Sequence, residues 1–374
     1  MKIALVHDYL SQDGGAERVL KAMHEIWPEA PVFVLFHDPD KINYIKKENI
    51  RQSFLARLPL IRSHFQWYLP FMPLATEKYN LQDFDMVISS TSSFAKGLIV
   101  KPDTLHISYC HTPPRYLWAN THEYVAELKY GRIIKMALPG IIHKLRLWDR
   151  MSADRVDHFI ANSKTVQRRI NKYYRRDSEV IYPPVDTDKF SISDNVQDYF
   201  LAGGRLVPYK RVDLVIQVFN RLKWPLKIFG IGPEYAKLKK RAKSNIEFLG
   251  RITDEEKAKL MSGAKAFIHP QMEDLGLTPI ESMAAGRPVI AFASGGATET
   301  VIPNENGIFF YQQTWESLLE TMLNFQAGSW DSAKIRENSL QFSTNNFKDK
   351  LRQFVADRHE EFKRGFNQSA LIKI

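Results

Sequence analysis

The residues richest in chemistry lie in FIHPQMEDLGLTPIESMAAGRPVIA, where Glu273 and Glu281 bracket Gly276, Leu277 and Thr278. A strand ending near His269-Pro270 passes through a loop into a helix. Thr278 is expected as the N-cap, Pro279 as the first helical residue and Glu281 as the acid of a T-x-x-E capping box. Gly286 and Pro288 end that helix. Gly276 lets backbone N–H groups come close to a ligand, and a helix N-terminus with unpaired amides attracts anions. Taken singly, Glu281 is explained by its cap and Glu273 is a loop acid.

A second segment, LAGGRLVPYKRVD, adds cations at a strand-to-helix turn: Gly203-Gly204, then Arg205, with Lys210 five residues on. Arg forks onto phosphate oxygens and Lys contributes a point charge. Such charge-assisted bonds are worth roughly 1.5–3 kcal/mol each. A few of them on a departing diphosphate would supply much of a transfer barrier. A solvated basic turn is the plainer reading of Arg205 by itself. Gly230-Ile231-Gly232-Pro233 makes a third Gly-rich turn. G-x-G alone says little, but three such turns on one sheet converge at the strand ends, where open α/β sheets bind ligands.

The first half has its own candidates. DYLSQDGGAERV places Gly14 and Gly15 before a helix, either as a phosphate-approaching loop or as a plain turn. YCHTPPRYLW places His111 after a strand in a Pro-rich loop, either facing a ligand or satisfied in the core. Asp186-Thr187-Asp188 spells D-x-D, a metal-binding spacing. It follows the paired prolines Pro183 and Pro184, and we assign it no metal.

The elements that must position these residues form two series. KIALVHDYL, APVFVLF, FDMVISS, LHISYC and DHFIANS read as buried strands, followed by DYFLAGG, PLKIFGIG, NIEFLGR, AKAFIHP and RPVIAFA. Helical patterns at Ala16–Trp27, Lys210–Leu222, Glu234–Ser244 and Asp254–Ser262 lie between them. This alternation implies α/β architecture with parallel sheets. The stiff Pro183-Pro184 step suggests a first domain over 1–183 and a second over 184–345, with a polar helix over 346–374 returning to the first.

Bulk properties bound the rest. The 374 residues suit two cores, and 44% hydrophobic with 25% charged is an ordinary globular profile. Cys110 is the single cysteine, which excludes a disulfide framework and a Cys-based zinc site. No export signal or membrane span is read, so a cytoplasmic protein is expected. The net charge of +10 favours anionic partners. It is concentrated in two stretches. Arg51–Thr76 has Arg51, Arg57 and Arg62 and no acid, with Phe54, Leu58, Ile61, Phe65 and Tyr68 in a stripe beside Trp67 and Phe71. Leu128–Arg150 has six Lys/Arg against Asp149, with Ile134, Leu138, Ile141, Leu145 and Trp148 in a stripe interrupted at Pro139-Gly140. Either stretch would suit an anionic membrane surface, or would pack on the sheet with a solvated basic face. Nucleic-acid binding would need a recognition motif or an aromatic-basic strand platform, and neither is found.

Together these segments resemble the retaining glycosyltransferases of family 4. The family's E-x7-E is matched by Glu273 and Glu281. Its G-L-x-P-x-E-x-M-A-x-G-x-P-V is matched by Gly276, Leu277, Pro279, Glu281, Met283, Ala284, Gly286, Pro288 and Val289. Its G-R-L-x-x-x-K is matched by Gly204, Arg205, Leu206 and Lys210. Asp274-Leu275 departs from the frequent Gly-Phe. The resemblance implies the GT-B fold, two Rossmann-like domains facing each other across a cleft that closes over the substrates. It implies Arg205 and Lys210 on the donor diphosphate, Glu273 on sugar hydroxyls, Glu281 on the ribose, and the backbone of Gly276, Leu277 and Thr278 on phosphate. It also implies Phe248–Arg251 near the base, the Gly14-Gly15 loop facing the donor, and His111 on the donor sugar. HTPPRYLW resembles bacterial O-antigen mannosyltransferases. This implies GDP-mannose, or a UDP-hexose, as donor and a lipid-linked or polysaccharide glycan as acceptor. No cofactor or metal is implied, and catalysis would sit at the inner face of the plasma membrane. A nucleotide-sugar epimerase of the same fold and an inactive sugar-nucleotide sensor are the rival readings.

Overall fold

A computed structural model describes residues 1–12, 14–119, 121 and 132–371, with backbone alone at 132–135 and 366–371. Asp13, residues 128–131 and the Ile134 side chain lie outside the described set. The chain divides into two compact units, Met1–Pro183 with Phe347 onward, and Pro184–Asn346.

The first unit holds seven strands: β1 (Ile3–His7), β2 (Val32–Val34), β3 (Ile50–Gln52), β4 (Met86–Thr91), β5 (Leu105–Cys110), β6 (His158–Ala161) and β7 (Ser178–Val180). All pair in parallel in the order β3-β2-β1-β4-β5-β6-β7. The central strands are buried along their whole length because helices cover both faces. Helix Thr344–Leu371 puts Phe347, Leu351, Phe354 and Val355 into the same core as Leu5, Ile88 and Ile107.

The second unit holds β8 (Phe200–Gly203), β9 (Leu226–Phe229), β10 (Ile246–Gly250), β11 (Phe267–His269), β12 (Val289–Phe292) and β13 (Gly307–Phe310). Their order is β10-β9-β8-β11-β12-β13, again all parallel. Both sheets are therefore doubly wound. Each reverses direction once, between β1 and β4 and between β8 and β11. At such a switch point two neighbouring loops diverge and leave room for a ligand.

The two basic stretches differ from expectation. Residues 54–77 form a run of short turns, Phe54–Arg57, Ile61–His64, Phe65–Phe71 and Met72–Glu77. Pro59 and Pro70 forbid one long helix. Helix Arg132–Ala153 instead runs through Pro139, which removes one intrahelical hydrogen bond without ending it. Ile61, Ile142 and Leu145 are buried in one cluster, with Leu58, Phe65, Tyr68, Ile141 and Trp148 packed against it. Most of each stripe thus faces the core, while Phe54 is exposed. Trp67, Phe71, Leu74, Met136, Leu147 and Met151 stay exposed. Asp149 is buried with Lys96 and accepts from Trp118 Nε1 at 2.7 Å and Tyr174 Oη at 3.0 Å. This anchors the helix from which it comes. No helix of the described residues is long and apolar enough to cross a membrane.

Candidate active site

At the β8/β11 switch point the two loops meet through charge. Lys210 Nζ, on the loop after β8, pairs with Glu273 Oε1, on the loop after β11. Their side chains are 12% and 18% exposed, enough for a ligand to reach and too little for water to screen fully. Beneath them His269 is fully buried at the end of β11, with Nε2 4.0 Å from Glu273 Oε2. Burial pulls its pKa down to about 4, with Glu273 opposing and Lys210 adding to the fall. Its Nδ1 meets Gln271 Nε2 at 3.0 Å, and its Nε2 has no hydrogen-bond partner among the described residues.

The helix beside this pair begins differently from the sequence reading. Its N-cap is Gly276, at φ +88°, and it spans Leu277–Ala284. Glycine takes that backbone freely, so the chain turns into the helix two residues before Thr278. Pro279 falls third, still within the turn where a missing N–H costs nothing. Glu281 then lies too far along to cap. It is buried and paired with Lys257 Nζ at 2.9 Å instead. A Cβ at Gly276 would stand 3.2 Å from His269 Cε1 and 3.3 Å from Glu273 Oε2. The leading amides of Leu277 and Thr278 precede the first intrahelical bond and are directed as an anion site requires.

The Gly-rich turns interlock. A Cβ on Gly230 would sit 1.8 Å from the Gly204 carbonyl oxygen, and one on Gly232 would sit 2.2 Å from that of Leu206. Leu206 N–H donates to the Ile231 carbonyl at 3.0 Å, which ties the turns together. The glycines at 230 and 232 thus serve the close approach of two backbones. Arg205 and Arg251 are exposed, with no side-chain partner among the described residues. Gly295 and Gly296, unnoticed in the sequence, bring the turn after β12 against Glu273–Leu275, with Gly296 N–H donating to the Glu273 carbonyl at 2.8 Å. A Gly-Gly pair three residues past a strand end was the available signal. Asp186 is engaged by Thr344 Oγ1 at 2.8 Å and Lys189 Nζ at 3.3 Å.

The first unit repeats the arrangement at β1/β4. Asp8, just past β1, accepts four backbone N–H groups from the turn after β4: Ser92 at 2.7 Å, Ser93 at 2.9 Å, Phe94 at 2.7 Å and Ala95 at 2.7 Å. Gly14 caps helix Gly15–Ile26, and its N–H donates to Glu17 Oε2 at 3.0 Å. His111, after β5, is buried, and its Nε2 lies 2.8 Å from Ser90 Oγ. Burial first and His7 second lower its pKa to about 3, so the ring is neutral at ordinary pH.

Residues 13–189 match the model of glycosyltransferase family 4, and residues 186–342 match that of the glycosyl transferases group 1. The chain belongs to glycosyltransferase family 4. This family 4 chain is 27% identical over 216 residues to the uncharacterized glycosyltransferase MJ1178 of Methanocaldococcus jannaschii, covering 56% of its own length and 60% of the relative's. It is 32% identical over 155 residues to the O-antigen chain mannosyltransferase RfbU of Salmonella typhimurium, covering 38% and 43%. With the alpha-1,3/1,6-mannosyltransferase alg2 of Schizosaccharomyces pombe it shares 23% over 392 residues, covering 88% and 76%. The first two matches take in about half the length of those relatives. Anabaena Alr3699/HepE in complex with UDP superposes with a TM-score of 0.70 at 17% identity, over 96% of this chain and 100% of that one. Sucrose-phosphate synthase (tll1590) from Thermosynechococcus elongatus gives 0.70 at 16%, over 96% and 100%. The family 4 chain thus has the two parallel-sheet α/β domains of the GT-B glycosyltransferases.

Proposed function

We propose that this protein transfers a hexose, mannose from GDP-mannose, to a lipid-linked or polysaccharide glycan, with retention at the anomeric carbon and without a metal. The Lys210–Glu273 pair at the β8/β11 switch point, beside the helix that starts at Gly276, carries this reading. Lys210, Arg205 and the amides of Gly276, Leu277 and Thr278 would hold the diphosphate and stabilise the negative charge that grows on it as it leaves. Glu273, released from Lys210 by the phosphate, would take sugar hydroxyls. Glu281, steadied by Lys257, would hold the ribose, with Arg251 bordering the base. The loop at Gly14 and Gly15 would face the donor, and His111 would hydrogen-bond the reacting sugar.

With no carboxylate assigned as covalent nucleophile, the acceptor oxygen would attack the face that the diphosphate leaves. The names of RfbU and alg2 favour mannose. The UDP carried by the Anabaena protein makes a UDP-hexose the rival donor. Exposed Trp67 and Phe71, in a stretch with three arginines and no acid, and exposed Met136 and Leu147, on a helix rich in Arg and Lys, favour an anionic membrane surface where a lipid-linked acceptor resides.

The test is product analysis with GDP-mannose and UDP-glucose, with and without a lipid-linked glycan and with chelator. Mannosyl product of retained configuration, formed with metals removed, is expected. Isomerised donor formed without acceptor would point to an epimerase. Activity abolished by chelator and restored by a divalent cation would overturn metal independence.

A further inference from the structure

Four side chains that the sequence scatters are lined up at the strand ends of the first unit. Glu17 Oε1 lies 3.9 Å from His7 Nε2, with both side chains 3% exposed. His7 Nδ1 lies 3.1 Å from Ser90 Oγ, and Ser90 Oγ lies 2.8 Å from His111 Nε2. The other oxygen of Glu17 is taken by the Gly14 N–H.

A serine hydroxyl has one hydrogen to donate, and each neutral imidazole has one N–H and one lone pair. With both rings neutral and the serine hydrogen spent on one of them, such a chain has two self-consistent directions. In one, His7 carries its hydrogen on Nε2, Ser90 donates to His7 Nδ1, and His111 Nε2–H donates to Ser90. In the other, every hydrogen is reversed and His7 turns a lone pair toward a carboxylate. In a site this dry the second arrangement sets negative against negative. We propose that Glu17, His7 and Ser90 are positioning residues that hold His111 in one tautomer, with hydrogen on Nε2 and the lone pair on Nδ1. His111 is then an acceptor at Nδ1, suited to a hydroxyl of the reacting sugar. That last clause rests on the proposed transferase function, whereas the tautomer does not. Because Glu17 also holds the Gly14 amide, the loop that opens the first helix and the His111 ring share one anchor.

The test is long-range 1H–15N NMR on the full-length protein with 15N-labelled histidine, His111 being assigned by its loss in His111→Gln. The expected spectrum shows Nε2 protonated and Nδ1 bare. Glu17→Gln should reverse it. The carboxamide has one oxygen, which the Gly14 N–H takes, so its NH2 faces His7 and donates. Nδ1–H on His111 in the wild type, or the same tautomer in Glu17→Gln, overturns the proposal. In a Ser90→Ala background, Glu17→Gln should no longer move His111, and if it still does, the path does not run through Ser90. Should Glu17→Gln not fold by circular dichroism, Ser90→Ala alone decides: mixed tautomers support the chain, and a single unchanged tautomer refutes it. In transfer assays, Glu17→Gln should lower kcat about tenfold to a hundredfold with donor KM near wild type, by analogy with the partners that orient metal-ligating histidines. A flipped tautomer with unchanged kcat would sever it from catalysis. A wild type without transferase activity would count against the function and leave the NMR result standing.

Discussion

Lys210→Met removes one charge while keeping most of the side chain's volume. Two separable consequences follow. The first is on stability. Lys210 and Glu273 are mostly buried, so their pair lies between a surface bridge, worth about 0–1 kcal/mol, and a buried one, whose breaking costs about 3–5 kcal/mol. About 2 kcal/mol is expected, or roughly 4–8 °C in the melting of a unit this size. Adding Glu273→Gln should recover part of it, because a carboxylate that has lost its lysine beside neutral His269 is the costly group. The second consequence is on ligand binding. Losing one charge-assisted bond to the diphosphate, about 1.5–3 kcal/mol, weakens nucleoside diphosphate about 10- to 150-fold. Titration calorimetry with GDP and UDP on wild type, both single variants and the double variant separates the two. Glu273→Gln alone should bind nucleoside diphosphate as well as the wild type or better, since Lys210 is then free. If Lys210→Met binds both diphosphates as tightly as the wild type, the ion pair is structural and the donor assignment at the switch point fails.

Three further outcomes are expected. Gly230→Ala puts a Cβ 1.8 Å from the Gly204 carbonyl oxygen at a φ of +107°, which should cost about 3 kcal/mol and spoil donor binding as well; a melting temperature within about 2 °C of wild type would refute the interlocked turns. Acidification should destabilise the fold between pH 6.5 and 4. Burial holds His106 and His269 at about 4 and His111 at about 3, so they stay neutral while the unfolded chain, at its ordinary 6.5, takes up protons. Stability is therefore full above 6.5 and falls as pH drops, by about 3 kcal/mol per histidine; His106→Gln should flatten urea midpoints over that window by about one proton, and an unchanged slope would be evidence against it. Trp67→Ala with Phe71→Ala should reduce co-flotation with vesicles containing phosphatidylserine several-fold while leaving nucleotide binding intact; equal flotation would remove the membrane reading.

What was legible in the sequence follows a physical division. Nine of the ten strands read from apolar runs are wholly or mostly buried, and burial on both faces leaves a continuous hydrophobic signature; the tenth, β10, lies at a sheet edge with only Ile246 buried and is read from its apolar Ile246, Phe248 and Leu249. β3, β7 and β13 escaped because they lie at the sheet margins with polar or half-exposed residues, as in Ile50–Gln52 and Ser178–Val180. The capping box at Thr278 failed for a local reason. T-x-x-E satisfies the side-chain rule, but Gly276 at positive φ offers an earlier turn into the helix, and Glu281 finds Lys257 instead. Lys257 sits in a helix whose sequence reads as solvated surface, so nothing marked it beforehand.

The residues that local spacing could not bring together are those joined by strand order. Lys210 and Glu273 are 63 positions apart, and His7 and Ser90 are 83 apart. Each pair comes from the two strands flanking a switch point, β8 with β11 and β1 with β4. The recurrence has a cause in the topology. In a doubly wound sheet those two strands are neighbours whose following loops part in opposite directions, so polar side chains at their ends face one another with no helix between them. The Lys210–Glu273 pair there is left half-dry, which strengthens it and keeps it within reach of a ligand, whereas His7 and Ser90 are buried. The first unit fills its switch point with the Asp8 clamp and the His7–Ser90 contact, and the second fills its own with Lys210–Glu273. Of the two, only the second pairs opposite charges that an incoming diphosphate would have to separate. That difference is why we assign the donor to the second unit.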